Sequence, residues 1–169
     1  MATKKKSATT ARQYWLFKSE PEAYSIADLA REPTRTTFWD GVRNYQARNF
    51  LRDTIKLGDR VLFYHSNADP LAIVGSVEVV RTGYPDHTAF DPLDHHYDPK
   101  SNLAEPTWFM VDVELLQIFP RPVTREELKA CSALSDMMVL RRGARLSIQP
   151  VTAAEWQAVH RLAGVSMDF

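Results

Sequence analysis

The chain has 169 residues, of which 44% are hydrophobic and 25% charged, the size and balance of one compact domain with its own core. Lys plus Arg number 21 and Asp plus Glu number 21, so the formal charge is zero, no long phosphate-tracking surface is implied, and a nucleic-acid partner would need locally clustered basic groups. No apolar run approaches the roughly 18 to 20 residues that cross a bilayer, the N-terminus lacks the apolar centre of a signal peptide, and the single Cys131 forms no internal disulfide; a cytoplasmic protein without a membrane partner is expected.

In chain order, residues 1–13 carry Lys4-Lys5-Lys6 and several Ser and Thr, with little to bury, and are expected to be a mobile tail before a single domain over 14–169. Residues 14–19 form an aromatic and aliphatic run suited to a buried strand, closed by Pro21. Ser25-Ile26-Ala27-Asp28 has the make-up of a helix start, with Ser25 as cap, and the helix stops before Pro33. Ala47, Phe50 and Leu51 fall at helical spacing, and Gly58 supplies a stop. Residues 59–65 and 71–84 are rich in Val, Ile, Phe and Tyr and are joined by Ser66-Asn67-Ala68-Asp69-Pro70, which predicts a hairpin. Residues 85–106 contain four Pro and many Asp and His without periodicity and predict a long exposed loop. The strongest strand spans 107–119, where Phe109, Val111, Val113 and Leu115 alternate with Trp108, Met110, Asp112 and Glu114. Thr124-Arg125-Glu126-Glu127 and Thr152-Ala153-Ala154-Glu155 both match a capping box, and residues 145–149 between the two helices predict a short strand ended by Pro150. Short, mostly antiparallel strands with peripheral helices indicate an α+β domain with a curved sheet or small barrel.

Five groups of residues could carry chemistry. Trp39-Asp40-Gly41-Val42-Arg43-Asn44-Tyr45 alternates aromatic, acidic, amide and guanidinium groups in a loop before a helix, matching the π face, hydrogen-bonding edge and phosphate of a nucleotide. The local pattern alone leaves Trp39 equally readable as a core anchor and Arg43 as an ion-pair partner. Lys18-Ser19-Glu20 ends a buried strand, where a barrel mouth would open, and Tyr64-His65-Ser66 ends another. The loop from Asp86 to Asp98 offers three His and four Asp, but its spacing is no known metal motif, and no metal or cofactor is expected. Arg43, Arg48 and Arg52, and Arg141, Arg142 and Arg145, are local basic clusters that could cradle a phosphate backbone or simply be solvated. No phosphate loop, dinucleotide fingerprint, nucleophile elbow or deaminase zinc pattern is present.

Taken together, Tyr14-Trp15-Leu16-Phe17-Lys18-Ser19-Glu20-Pro21, the run from Trp39 through Asn49, Phe63-Tyr64-His65-Ser66, Tyr84-Pro85-Asp86 and Arg145-Leu146-Ser147-Ile148-Gln149-Pro150 resemble the EVE domain family from about Tyr14 to Leu162. The resemblance implies a PUA-like pseudobarrel and a reader of modified bases, a modified cytosine in DNA or a modified base in RNA, with the base turned out into an aromatic-walled pocket. It places Lys18, Ser19, Glu20, Trp39, Asp40, Asn44, Tyr64, His65 and Ser147 on the matching motifs as pocket residues, with Arg43, Arg48 and Arg142 toward the nucleic-acid backbone and no catalytic residue. Trp39→Ala is then expected to abolish binding with thermal stability nearly unchanged. Two enzyme readings stand beside it: one acting on a modified nucleotide with Glu20 or His65 as acid or base, and a metal-dependent hydrolase using the loop over 86–98.

Overall fold

The computed structural model describes residues 11–167. Most of the expected tail, residues 1–10, lies outside them. Ordered contacts nevertheless begin ahead of Tyr14: Arg12 Nε donates to the Gly58 carbonyl at 3.1 Å, and the Gln13 amide side chain donates to Thr54 O and Asp59 Oδ2.

Six strands form one open sheet: β1 (Tyr14–Ser19), β2 (Thr36–Phe38), β3 (Arg60–His65), β4 (Ala72–Pro85), β5 (Phe109–Thr124) and β6 (Ile148–Val151), in the spatial order β2-β5-β4-β3-β1-β6. Only β1 and β3 pair in parallel, because β1 reaches β3 through a long crossover that contains helices α1 (Ile26–Arg31) and α2 (Tyr45–Asn49). β2 has no counterpart among the strands expected from the sequence. It is three residues long, too short to show a period of two, and is fixed by pairing with β5 at Thr37↔Val113. The expected strand over 145–149 begins instead at Ile148 and runs through Pro150, which is tolerated because β6 is an edge strand.

Apolar clusters cover both faces of the sheet. Trp15, Phe17, Val61 and Phe63 point into one, Leu16, Leu62 and Tyr64 into the other, which is the period of two expressed in β1 and β3. In β5 the same period carries Val111, Val113 and Leu115 to the first cluster, yet Phe119 and Val123 serve the second. A bulge accounts for the switch: Ser76 faces Gln117 while Val77 faces Leu115, so β5 holds one extra residue there and its faces exchange.

Helices α3 (Arg125–Ala130) and α4 (Ala153–Ala163) both begin in the predicted capping boxes, Thr124 with Glu127 and Thr152 with Glu155, and α1 adds a third, Ser25 with Asp28. Trp156, Val159 and Ala163 seat α4 on the second cluster. After α2 a single π-helical turn, Phe50–Thr54, buries Leu51 and leads to β3. Among the described residues no helix is long and apolar enough to cross a membrane.

Candidate ligand-binding cavity

A cavity of about 840 Å³ opens where the two edges of the sheet approach one another. Lys18, Ser19 and Glu20 line it from the end of β1, Thr36, Thr37 and Phe38 from β2, Trp39 to Arg43 from the following loop, Asp112 from β5, and Ser147 from the approach to β6. That volume is in the range of small-molecule sites. The sheet is open, so barrel closure is replaced by a seam, and the seam is the cavity.

The wall around Trp39 is built stiffly. Its backbone N–H donates to Val111 O at 2.8 Å, and its indole sits 5.3 Å from the Phe17 ring and 5.4 Å from Phe63, leaving the residue 8% exposed. Gly41 follows at φ +78°, a turn that favours glycine, and a Cβ there would meet the His96 imidazole at 2.4 Å. The Gly41 N–H donates to Asp86 Oδ2 at 2.8 Å, and Arg43 Nη1 donates to the same oxygen at 2.9 Å. Thr88 N–H and Oγ1 donate to the other oxygen. Burial alone would raise the Asp86 pKa, but these donors outweigh it and hold the carboxyl below its ordinary range. Asp86 thus clamps the Trp39 loop to the long loop before β5.

Arg43 is consumed by this clamp. Besides Asp86 it donates to His96 O from Nε at 3.2 Å and Nη2 at 2.8 Å, and its guanidinium lies over Trp108 at 5.4 Å. It borders the cavity with its guanidinium held as a structural ion-pair partner. The long loop itself is held by a series of short turns in which Asp91, Asp94 and Asp98 carboxylates accept the N–H two residues on, so its acidic composition serves the backbone. Its His95 and His96 reach the cavity mouth, where Asp94, His95 and His96 place one ligand atom each within 4.8 Å of one another, the group best able to hold a metal ion among the described residues. His96 Nδ1 also lies 3.4 Å from Asp40 Oδ2.

Of the nine expected pocket residues, Lys18, Ser19, Glu20, Trp39, Asp40 and Ser147 surround the cavity. Three do not. Asn44 is exposed and caps α2, its Oδ1 accepting the Ala47 N–H at 3.0 Å. Tyr64 is 3% exposed within the cluster on the opposite face, where the alternation of β3 must send it. His65 Nε2 accepts the Ile26 N–H at 3.2 Å, tying β3 to the start of α1, and burial lowers its pKa. Of the two candidate acid–base residues, Glu20 lines the cavity and His65 does not. Arg48 lies half-buried away from the lining, with Nη1 donating to Thr107 O at 2.7 Å and its guanidinium over Tyr45, while Arg142 is exposed in the turn that precedes Gly143.

Several lining residues escaped sequence reading. Tyr24 donates to Glu32 Oε1 at 3.0 Å, and burial, with that carboxylate beside it, pushes the phenol up to about 12. Asp112 accepts from the Tyr84 hydroxyl. Its position on the polar face of the best-patterned strand was a usable signal; Thr36 and Thr37 offered none. Lys18 donates from Nζ to Ala144 O at 3.2 Å, and burial, then the charge of Arg125, lowers its pKa.

An open, curved α+β sheet whose free edges frame one cavity defines a PUA-like domain. The chain belongs to the EVE domain family, whose model matches residues 13–162. It is 46% identical over 163 residues to thymocyte nuclear protein 1 of Gallus gallus, covering 86% of this chain and 66% of that protein. Among solved structures, a hypothetical protein from Leishmania major superposes with a TM-score of 0.86 at 42% identity, covering 91% of this chain and 96% of that one. Human THYN1 protein, solved in complex with 5-methylcytosine containing DNA, superposes at 0.85 with 43% identity over 91% of this chain and 99% of its own.

Proposed function

We propose that this chain binds DNA and takes a flipped-out modified cytosine into the cavity between Lys18–Glu20, Trp39–Asp40 and Ser147. The observation that carries the reading is the joint placement of an aromatic wall and hydrogen-bonding groups around one cavity of about 840 Å³. The human relative solved with 5-methylcytosine DNA gives the ligand class.

Energetically, removing a base from its stack costs a few kcal/mol, and stacking on an aromatic returns about 1–3 kcal/mol, so Trp39 offsets most of the extrusion. Hydrogen bonds from Ser147 or Lys18 and to Asp40 then fix the base edge. A buried methyl adds roughly 0.8 kcal/mol, which corresponds to about fourfold in affinity.

Fluorescence anisotropy at fixed salt, with duplexes that differ only in one cytosine or 5-methylcytosine, tests this reading. The methylated duplex is expected to bind about fourfold tighter or better. Equal affinity for both duplexes, or a preference for the same modification only in RNA, would overturn the DNA reading.

A further inference from the structure

We infer that Asp40 makes the cavity selective for bases that carry an exocyclic amine, so that 5-methylcytosine is accepted and thymine refused. This rests on the base-reading function proposed above and adds the residue and atom that set its specificity.

The cavity is rich in acceptors. Glu20, Glu32, Asp40 and Asp112 all line it. Glu32 and Asp112 already accept from the phenols of Tyr24 and Tyr84, and Glu20 stands exposed at the rim. Asp40 differs from these three. It is partly buried, no hydrogen bond to its carboxylate is formed among the described residues, and the nearest ring nitrogen is His96 Nδ1 at 3.4 Å. Its place is fixed from both sides, by Trp39 N–H to Val111 O and by Gly41 N–H to Asp86 Oδ2, each 2.8 Å. A carboxylate adjacent in sequence to the stacking wall, and rigidly held, is suited to meet the edge of a base whose face rests on Trp39.

The cationic groups nearby are shared or engaged elsewhere: His96 Nδ1 lies 3.4 Å from Asp40 Oδ2 and equally 3.4 Å from Asp94 Oδ1. Arg43 is neutralised by buried Asp86, and Lys18 is committed to Ala144 O with its pKa lowered by burial. An ionised carboxylate only accepts hydrogen bonds. Cytosine presents N4–H₂ as a donor where thymine presents O4, an acceptor. Thymine and 5-methylcytosine share the C5 methyl and the O2 acceptor, so neither the apolar contact nor a donor to O2 can tell them apart. They differ at N3, an acceptor in cytosine and an N–H donor in thymine, and at position 4, where an acceptor-only carboxylate favours the base that carries the amine.

The test uses the whole protein and duplexes in which 5-methylcytosine, cytosine or thymine stands opposite an abasic site, so that pairing strength drops out of the comparison. The wild type is expected to bind 5-methylcytosine about tenfold tighter than thymine. In Asp40→Asn, whose amide can donate to O4, the gap closes to about threefold or less, with thymine gaining affinity. A general weakening from altered structure would not produce that gain. Thymine bound as tightly as 5-methylcytosine by the wild type, or a gap unchanged in Asp40→Asn, would overturn the assignment. If methylated cytosine is still preferred over cytosine in those cases, only the role of Asp40 falls; if all three bases bind alike, the base-reading function falls with it.

Discussion

The indole of Trp39 touches Phe17 and Phe63 on the core side and the cavity on the other, while remaining 8% exposed. Core anchor and cavity wall, which the local sequence presents as alternatives, are two faces of one ring. Trp39→Ala is therefore not a clean binding lesion, contrary to the expectation from sequence. Truncating an aromatic packed in this way costs about 3–5 kcal/mol, so the variant should unfold at clearly lower urea concentration as well as lose DNA binding. A wild-type urea midpoint in Trp39→Ala would show that the ring contributes nothing to the core. Arg43 teaches the same lesson in electrostatic form: its guanidinium looks available in sequence, but Asp86, 43 residues away, occupies it.

At the level of elements, long-range side-chain bonds join pieces that sequence spacing cannot connect. His65 at the end of β3 accepts the first N–H of α1, 39 residues away, whereas His160, with Nδ1 2.7 Å from Trp156 O, makes a local contact within α4. Burial lowers both pKa values from the ordinary 6.5. The unfolded chain therefore takes up protons near pH 6.5 that the folded chain refuses until lower pH, so stability rises with pH across that window and falls on acidification. Urea midpoints should be lower at about pH 5.5 than at about pH 7.5, and His65→Gln with His160→Gln should remove most of the difference. Equal midpoints at the two pH values in the wild type would contradict this account. Elements with a strong local signal were legible beforehand: the 14–19 strand, the β3–β4 hairpin and the capping boxes at Thr124 and Thr152. β2 and the exchange of faces in β5 were not, because a three-residue pairing and a one-residue bulge are set by the partner strand.

On the scale of the whole molecule, the site exists because an open sheet brings its two edges together. Residues 18–20, 39–43 and 147 are far apart in the chain, and only the order β2-β5-β4-β3-β1-β6 puts them around one cavity. Six of the residues on the matching motifs line that cavity, while Asn44, Tyr64 and His65 do structural work on the same segments. A motif identifies stretches of chain; the alternation of a strand or the cap of a helix then decides which side chain of the stretch meets the ligand. The zero net charge fits a site in which the base and its edge carry selectivity and the backbone contributes locally.

The location of the base is tested most directly by NMR. The chain has four Trp, so the indole N–H resonances form a small and assignable set. On titration with a duplex containing one 5-methylcytosine, the Trp39 resonance should shift strongly, while Trp15, whose Nε1 donates to buried Asp59 at 3.0 Å, and Trp156, 3% exposed on the buried face of α4, should stay in place. A bound complex in which Trp39 is unmoved and only Trp108, beneath the exposed Tyr45, responds would place the DNA on a different face and contradict the account.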